Sequence, residues 1–137
     1  MQAYKTKSRK VHGSTFSEVY RNAFDLYQKI KKKTKRRPYI RSAYFKKEKI
    51  FLELFWHHLH EKLNHRDKVR RVRYFPCAVE LIGNTRCDPI SKDNPNRASE
   101  ILHRFAGITL DGERFLVQIK ENKRNNQKWL ISIFPDE

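Results

Sequence analysis

His103, Gln118, Lys120, Lys128 and Ser132 are the residues of this 137-residue chain whose types and spacing can do chemistry together. They lie in three segments, 100–109, 113–121 and 128–134, each with the apolar–polar alternation of a β-strand. Asp111-Gly112, between the first two, is a hairpin signal. If those two residues form the whole turn, Leu110 faces Glu113 and the pairs count outward from there. His103 then meets Lys120, Phe105 meets Gln118, and Arg104 meets Ile119. This register predicts one surface holding His103, Gln118, Lys120, Lys128 and Ser132, with Phe105 and Phe134 beside them. Phe115, Val117, Ile119, Trp129, Ile131 and Ile133 are predicted to face a core, with Glu121 also on that side. Arg104 falls among the apolar residues, at the rim of the core or at a β-bulge.

Such a surface suits RNA cleavage by transesterification. The 2′-hydroxyl attacks the adjacent phosphorus, a base removes its proton, an acid protonates the departing 5′-oxygen, and cations stabilise the phosphorane. His103 can serve as the acid or base, and Lys120, with Lys128 as a second candidate, can stabilise the charge. Ser132 and Gln118 contact phosphate or base edges, and Phe105 and Phe134 stack a base. A solvated polar face of an antiparallel sheet would carry similar residues without any catalysis.

The positioning elements are legible upstream. Thr15 and Glu18 have capping-box spacing, and Phe16, Val19, Tyr20, Ala23, Phe24 and Tyr27 follow at helical period. That helix runs into the cations Lys31, Lys32, Lys33, Arg36 and Arg37 before Pro38. Residues 1–13 read as a flexible basic stretch, and 39–45 as a short extended piece. Residues 46–63 read as a core helix with Ile50, Phe51, Leu54, Phe55, Leu59 and Leu63 inward. A basic helix follows over 65–73, carrying Arg70, Arg71 and Arg73, and a helix restarted at Pro76 runs to Gly83. Residues 84–97 read as a long loop. Helices first and an antiparallel sheet of about four strands afterwards make an α+β fold. The domain division is a basic arm and helix, 1–37, then a single domain, 38–137, with helices over 46–83 and the sheet over 98–135.

Lys and Arg number 31 against 15 acids, a net charge of +16. Residues 1–37 hold 12 basic and 2 acidic groups, so most of the excess sits there. Such a surface attracts polyanions through counterion release, and Lys123, Arg124, Lys128 and Arg104 extend it into the sheet. The partner expected is RNA (tRNA, mRNA or rRNA), with an acidic antitoxin or immunity protein as a further partner by the same electrostatics. Cys77 and Cys87 fit no zinc or dithiol spacing and read as reduced thiols, so the cytoplasm is the expected compartment. No apolar run is long enough for a membrane span, and no metal or cofactor is expected. His57, His58, His60 and His65 crowd one helix without the spacing of a zinc site, and read as surface or packing histidines.

The stretch "HRFAGITLDGERFLVQIKENKRNNQKWLISIFP", from His103, resembles the C-terminal sheet of phage-type nucleases of the barnase–EndoU–colicin–RelE superfamily. The carrying features are the strand-opening histidine, the glycine-flanked hairpin, the VQIKE strand and the ISIFP-like last strand with its serine. The resemblance implies metal-independent endoribonuclease activity, often as a toxin in phage, plasmid or interbacterial conflict. It implies His103 as general acid or base, Lys120 as charge stabiliser and Ser132 as phosphate contact, with Gln118 a weaker member. Two other readings remain open: a non-catalytic RNA- or ribosome-binding module, and a DNA-binding regulator with 65–83 as its recognition element.

Overall fold

The computed structural model describes residues 2–61 and 64–136, with His65 through its backbone only. The fold is α+β, built on a mixed seven-stranded sheet rather than an antiparallel sheet of about four strands.

Strand β1 (Ala3–Lys5) comes first, and then helix α1 (Phe16–Thr34). Thr15 Oγ1 accepts from Glu18 N at 3.2 Å and Glu18 Oε2 accepts from Ser14 N at 3.1 Å, which fixes the start of α1. Val19, Ala23, Tyr27 and Ile30 are its buried stripe. Strands β2 (Tyr39–Arg41) and β3 (Lys49–Phe51) form a short antiparallel pair. Helices α2 (Glu53–Glu61), α3 (His65–Arg73) and α4 (Phe75–Asn84) follow. Strands β4 (Ile90–Asn94), β5 (Arg97–Ile108), β6 (Arg114–Asn122) and β7 (Lys128–Pro135) complete the chain.

Three elements depart from the sequence reading. Residues 49–51 are strand β3, parallel to β7 with Ile50 opposite Lys128, so the core helix begins only at Glu53. The apolar Ile50 and Phe51 are adjacent in sequence to the helical stripe, and pairing with β7 decides their conformation; Leu63 lies outside the described residues. The stretch 84–97 holds β4, an exposed strand whose polar sequence hides its pairing with β5. The N-terminal stretch holds β1, parallel to β5, with Tyr4 opposite Gly107. Glu80 ties that stretch down by accepting from Tyr4 Oη at 2.8 Å, Lys7 N at 2.8 Å and Ser8 N at 3.0 Å.

The sheet runs β1-β5-β6-β7-β3-β2, with β4 paired to the other half of the β5 edge. One face packs on the helices through Phe105, Phe115, Val117, Ile119, Leu130 and Ile133, all buried. Tyr27, Phe55, Trp56 and Phe75 form an aromatic group within the same core, with Trp56 and Phe75 centroids 5.0 Å apart. Along β7, β3 pairs with Lys128 and Trp129 at its start, and α2 and α3 also pack against β7.

The hairpin sets which side chains share a face. Thr109 pairs with Glu113 through a 2.8 Å hydrogen bond, and Gly112 N donates to Thr109 O at 2.9 Å. The turn therefore holds three residues, Leu110, Asp111 and Gly112, with Gly112 at φ 86°. A tight turn closed by a left-handed glycine makes this geometry. The one-residue shift re-pairs β5 with β6: Arg104 lies opposite Gln118, Phe105 opposite Val117, and His103 opposite Ile119. Every cross-strand pair of the two-residue reading is thus displaced, and one face exchanges members with the other.

Candidate functional site

The surface expected to hold five residues divides between the two faces. His103 lies on the helix-facing side with Phe105, Ile119 and Glu121. Gln118, Lys120, Ser132 and Phe134 lie on the opposite side, with Arg104 and Trp129. Lys128 pairs with Glu121 and joins His103, because β7 carries an extra residue at Ile131 between the partners of Gln118 and Ile119. This bulge reverses the alternation of β7 halfway along, so Lys128 and Ser132 point to opposite faces although both are even-numbered. Arg104 is part-buried beside Gln118 and needs no bulge of its own.

On the helix-facing side His103 is saturated. Its Nδ1 is 2.6 Å from Ser91 Oγ and its Nε2 is 2.8 Å from Glu121 Oε1. A carboxylate only accepts, so a proton between Nε2 and Glu121 leaves Nδ1 to accept from the Ser91 hydroxyl when the ring is neutral. The Phe45 ring stands edge-on to the imidazole at 5.0 Å between centroids. Lys128 Nζ donates to Glu48 Oε2 at 2.9 Å and to Asn126 O at 3.1 Å, and lies 3.8 Å from Glu121 Oε1. His103 is 8% exposed and Lys128 3%, so both are buried while Ser91 and Glu48 at the edge of the cluster are exposed, and Lys128 is not a surface contact for nucleic acid. The carboxylate partner of His103 is Glu121, which the two-residue turn had assigned to the other face.

The second cluster forms where the β7 bulge meets the helices. Arg71 of α3 donates from Nη1 to Ser132 Oγ at 3.1 Å, and its Nε is held by Asp67 Oδ2 at 3.0 Å. Arg104 Nη2 donates to Gln118 Oε1 at 3.1 Å. Both guanidinium groups lie over the Phe134 ring, Arg104 at 5.2 Å and Arg71 at 5.7 Å from its centroid. Further along the face, Lys120 Nζ lies 5.2 Å from the Trp129 centroid and 3.4 Å from Glu100 Oε2. His58 of α2 approaches the bulge itself, with Nδ1 at 3.4 Å from Ile131 O. A carbonyl only accepts, so Nδ1 carries the proton in this contact and Nε2 keeps its lone pair when the ring is neutral. His58, Glu61, Ile131 and Ser132 line an open depression of about 390 Å³.

His58 and Glu61 were not among the residues expected to do chemistry. The signal was present: Phe55, His58 and Leu59 have i, i+3, i+4 spacing, which sets His58 beside the buried stripe of α2. His57 and His60 are exposed, and His60 Nε2 lies 3.2 Å from Tyr20 Oη.

The remaining basic residues are distributed around the molecule. Lys31, Lys32, Lys33 and Arg36 are exposed at the end of α1. Arg37 pairs with Glu53 and stacks over Phe51. Arg73 is bound to the carbonyls of Val11 and Gly13 at 3.0 and 2.9 Å. Arg70 lines a cleft with Lys10, Arg73 and Arg114. Lys123 pairs with Asp93 at 3.0 Å, and Arg124 is exposed in the β6–β7 turn. Among the described residues no group of three or more His, Cys, Asp or Glu is arranged to hold a metal ion, and no helix is long and apolar enough to cross a membrane. Cys77 and Cys87 are free, and burial pushes the Cys77 thiol up from its ordinary value.

No protein-family model, curated protein or solved structure matches this chain.

Proposed function

We propose that this protein is an endoribonuclease that cleaves RNA without a metal ion, at the depression beside the β7 bulge. The observation that carries the reading is the convergence of Arg71 and His58 on consecutive residues of the bulge, Ser132 and Ile131, beside Glu61. The roles follow from chemistry. His58 and Glu61 are the acid–base pair: one takes the 2′-hydroxyl proton as the 2′-oxygen bonds to phosphorus, and the other protonates the 5′-oxygen as its bond to phosphorus breaks. Arg71 and Arg104 stabilise the phosphorane charge, Ser132 and Gln118 hold phosphate or base edges, and Phe134 stacks a base. Lys120 adds positive charge along the same face. His103, with its ring nitrogens occupied by Ser91 of β4 and Glu121 of β6 and its ring against Phe45 of the β2–β3 loop, joins these elements instead. An acidic antitoxin or immunity protein is the partner this charge distribution favours.

A second reading, a non-catalytic binder of single-stranded RNA, is favoured by the arginines stacked on Phe134 and Lys120 stacked on Trp129. Incubation of the protein with RNA in EDTA separates the two. New 2′,3′-cyclic phosphate ends that disappear in His58→Ala support the nuclease. Intact, salt-sensitive RNA complexes support the binder.

A further inference from the structure

Away from the Ser132 depression, the β2–β3 loop and the end of α4 border an open pocket of about 860 Å³. Four cations line it: Arg41, Lys46 and Lys47 from the loop and Arg86 from beyond α4. No carboxylate is among its lining residues, although Asp88 lies within hydrogen-bond reach of the Tyr44 hydroxyl, and none of the four cations forms an ion pair with a described carboxylate. With 31 Lys and Arg against 15 acids many cations of this chain lack an acidic partner; here four of them line one pocket.

The loop backbone is specifically shaped. Lys46 and Lys47 are consecutive residues at positive φ, 54° and 66°, where glycine or asparagine is the ordinary occupant. The conformation is held by Lys47 N donating to Ser42 O at 2.7 Å, Phe45 N to Ser42 Oγ at 2.9 Å, and Arg41 Nη1 to Lys47 O at 3.0 Å. Strain maintained by its surroundings beside a pocket is a feature of ligand clamps. Tyr44 supplies an aromatic wall, fixed edge-on against Phe45 and Phe105. The volume suits a nucleotide rather than a bare anion.

We infer that this pocket binds the phosphate chain of a nucleotide, with Arg41, Lys46, Lys47 and Arg86 on the phosphates and the base against Tyr44. The shared chemistry is a triphosphorylated nucleotide, either free or at the 5′ end of an RNA. The inference does not depend on cleavage at Ser132, because the two sites share no residue.

The test is binding by the full-length protein at near-physiological salt. The probes are ATP, a short RNA with a 5′-triphosphate, and the same RNA with a 5′-hydroxyl. The variants are Lys46→Gly with Lys47→Gly, which keeps the left-handed backbone while removing two charges, and Arg41→Ala. At least one triphosphate probe is expected to bind and to lose about tenfold or more in both variants, each charge-assisted contact carrying about a decade of affinity. ATP binding alone identifies a free nucleotide as ligand, and RNA binding alone identifies a 5′ end. Failure of both triphosphate probes to bind, binding insensitive to the variants, or equal losses with the 5′-hydroxyl RNA overturns the inference.

Discussion

Arg71 Nη1 lies 3.1 Å from Ser132 Oγ, joining α3 to the last strand of the sheet across 61 residues of sequence. The contact exists because the bulge at Ile131 turns Ser132 onto the face of Gln118 and Arg104. Arg71→Ala removes a guanidinium from the developing phosphorane charge and should lower the cleavage rate by about 10²–10³. His58→Ala should lower it by about 10²–10⁴. Ser132→Ala, removing one contact, should cost roughly 10–100-fold. Single-turnover rates on one defined RNA compare the three.

His103→Ala should behave oppositely. It breaks the part-buried Ser91–His103–Glu121 chain and removes a ring packed on Phe45, so we expect a stability loss of about 1–3 kcal/mol from denaturant unfolding. The folded fraction should cleave RNA at the wild-type rate. A lost rate with unchanged stability would return His103 to the chemistry.

The N-terminal strand should release in acid. Burial pushes the Glu80 carboxyl up, but hydrogen bonds from Lys7 N, Ser8 and the Tyr4 hydroxyl outweigh it and leave the pKa below its ordinary 4.5. The unfolded chain then takes up the proton more readily than the folded one. Glu80 therefore stabilises docking fully above the ordinary carboxylate range, and that contribution fades as pH falls through its lowered value. The protection of the Thr6 and Leu110 amides, which bind Ile108 O and Ser8 O, relative to the intrinsic exchange rate at each pH, should fall on acidification in the wild type. In Glu80→Gln that protection should already be low at neutral pH.

Nucleic-acid affinity should fall steeply with salt. Replacing exposed Lys31, Lys32 and Lys33 by Gln should reduce the slope of log K against log salt by up to about 2, at roughly 0.7 per phosphate contact on single strands. Cleavage per bound RNA should not change, because these residues lie at the end of α1, away from the bulge.

Much of the fold was legible because it rests on local chemistry. The capping box opened α1, alternation marked β5, β6 and β7, and Asp111-Gly112 marked the hairpin. Three residues rather than two in that turn was not legible, since Asp-Gly serves both lengths. That single residue moved His103 to the helix-facing side and brought Glu121 to it. The bulge at Ile131 was equally silent, because an extra residue in a strand leaves the composition unchanged. β1, β3 and β4 are short strands formed by pairing with a distant partner rather than by their own pattern. Gly107 shows how tightly the sheet then packs: an added Cβ would fall on the Phe115 ring and 2.9 Å from Leu81 Cδ1. Gly107→Ala should destabilise by about 3 kcal/mol, and Gly112→Ala, in open space at positive φ, by about 1 kcal/mol. Urea midpoints distinguish the two.

The most direct test of the proposed site is RNA cleavage in excess EDTA by purified wild type, His58→Ala, Arg71→Ala and His103→Ala, each checked for folding, with the new ends mapped. The account predicts 2′,3′-cyclic phosphate ends from wild type and from folded His103→Ala, and loss of cleavage in His58→Ala and Arg71→Ala. Cleavage that survives in both of those variants, or RNA left intact by the wild type, would contradict it.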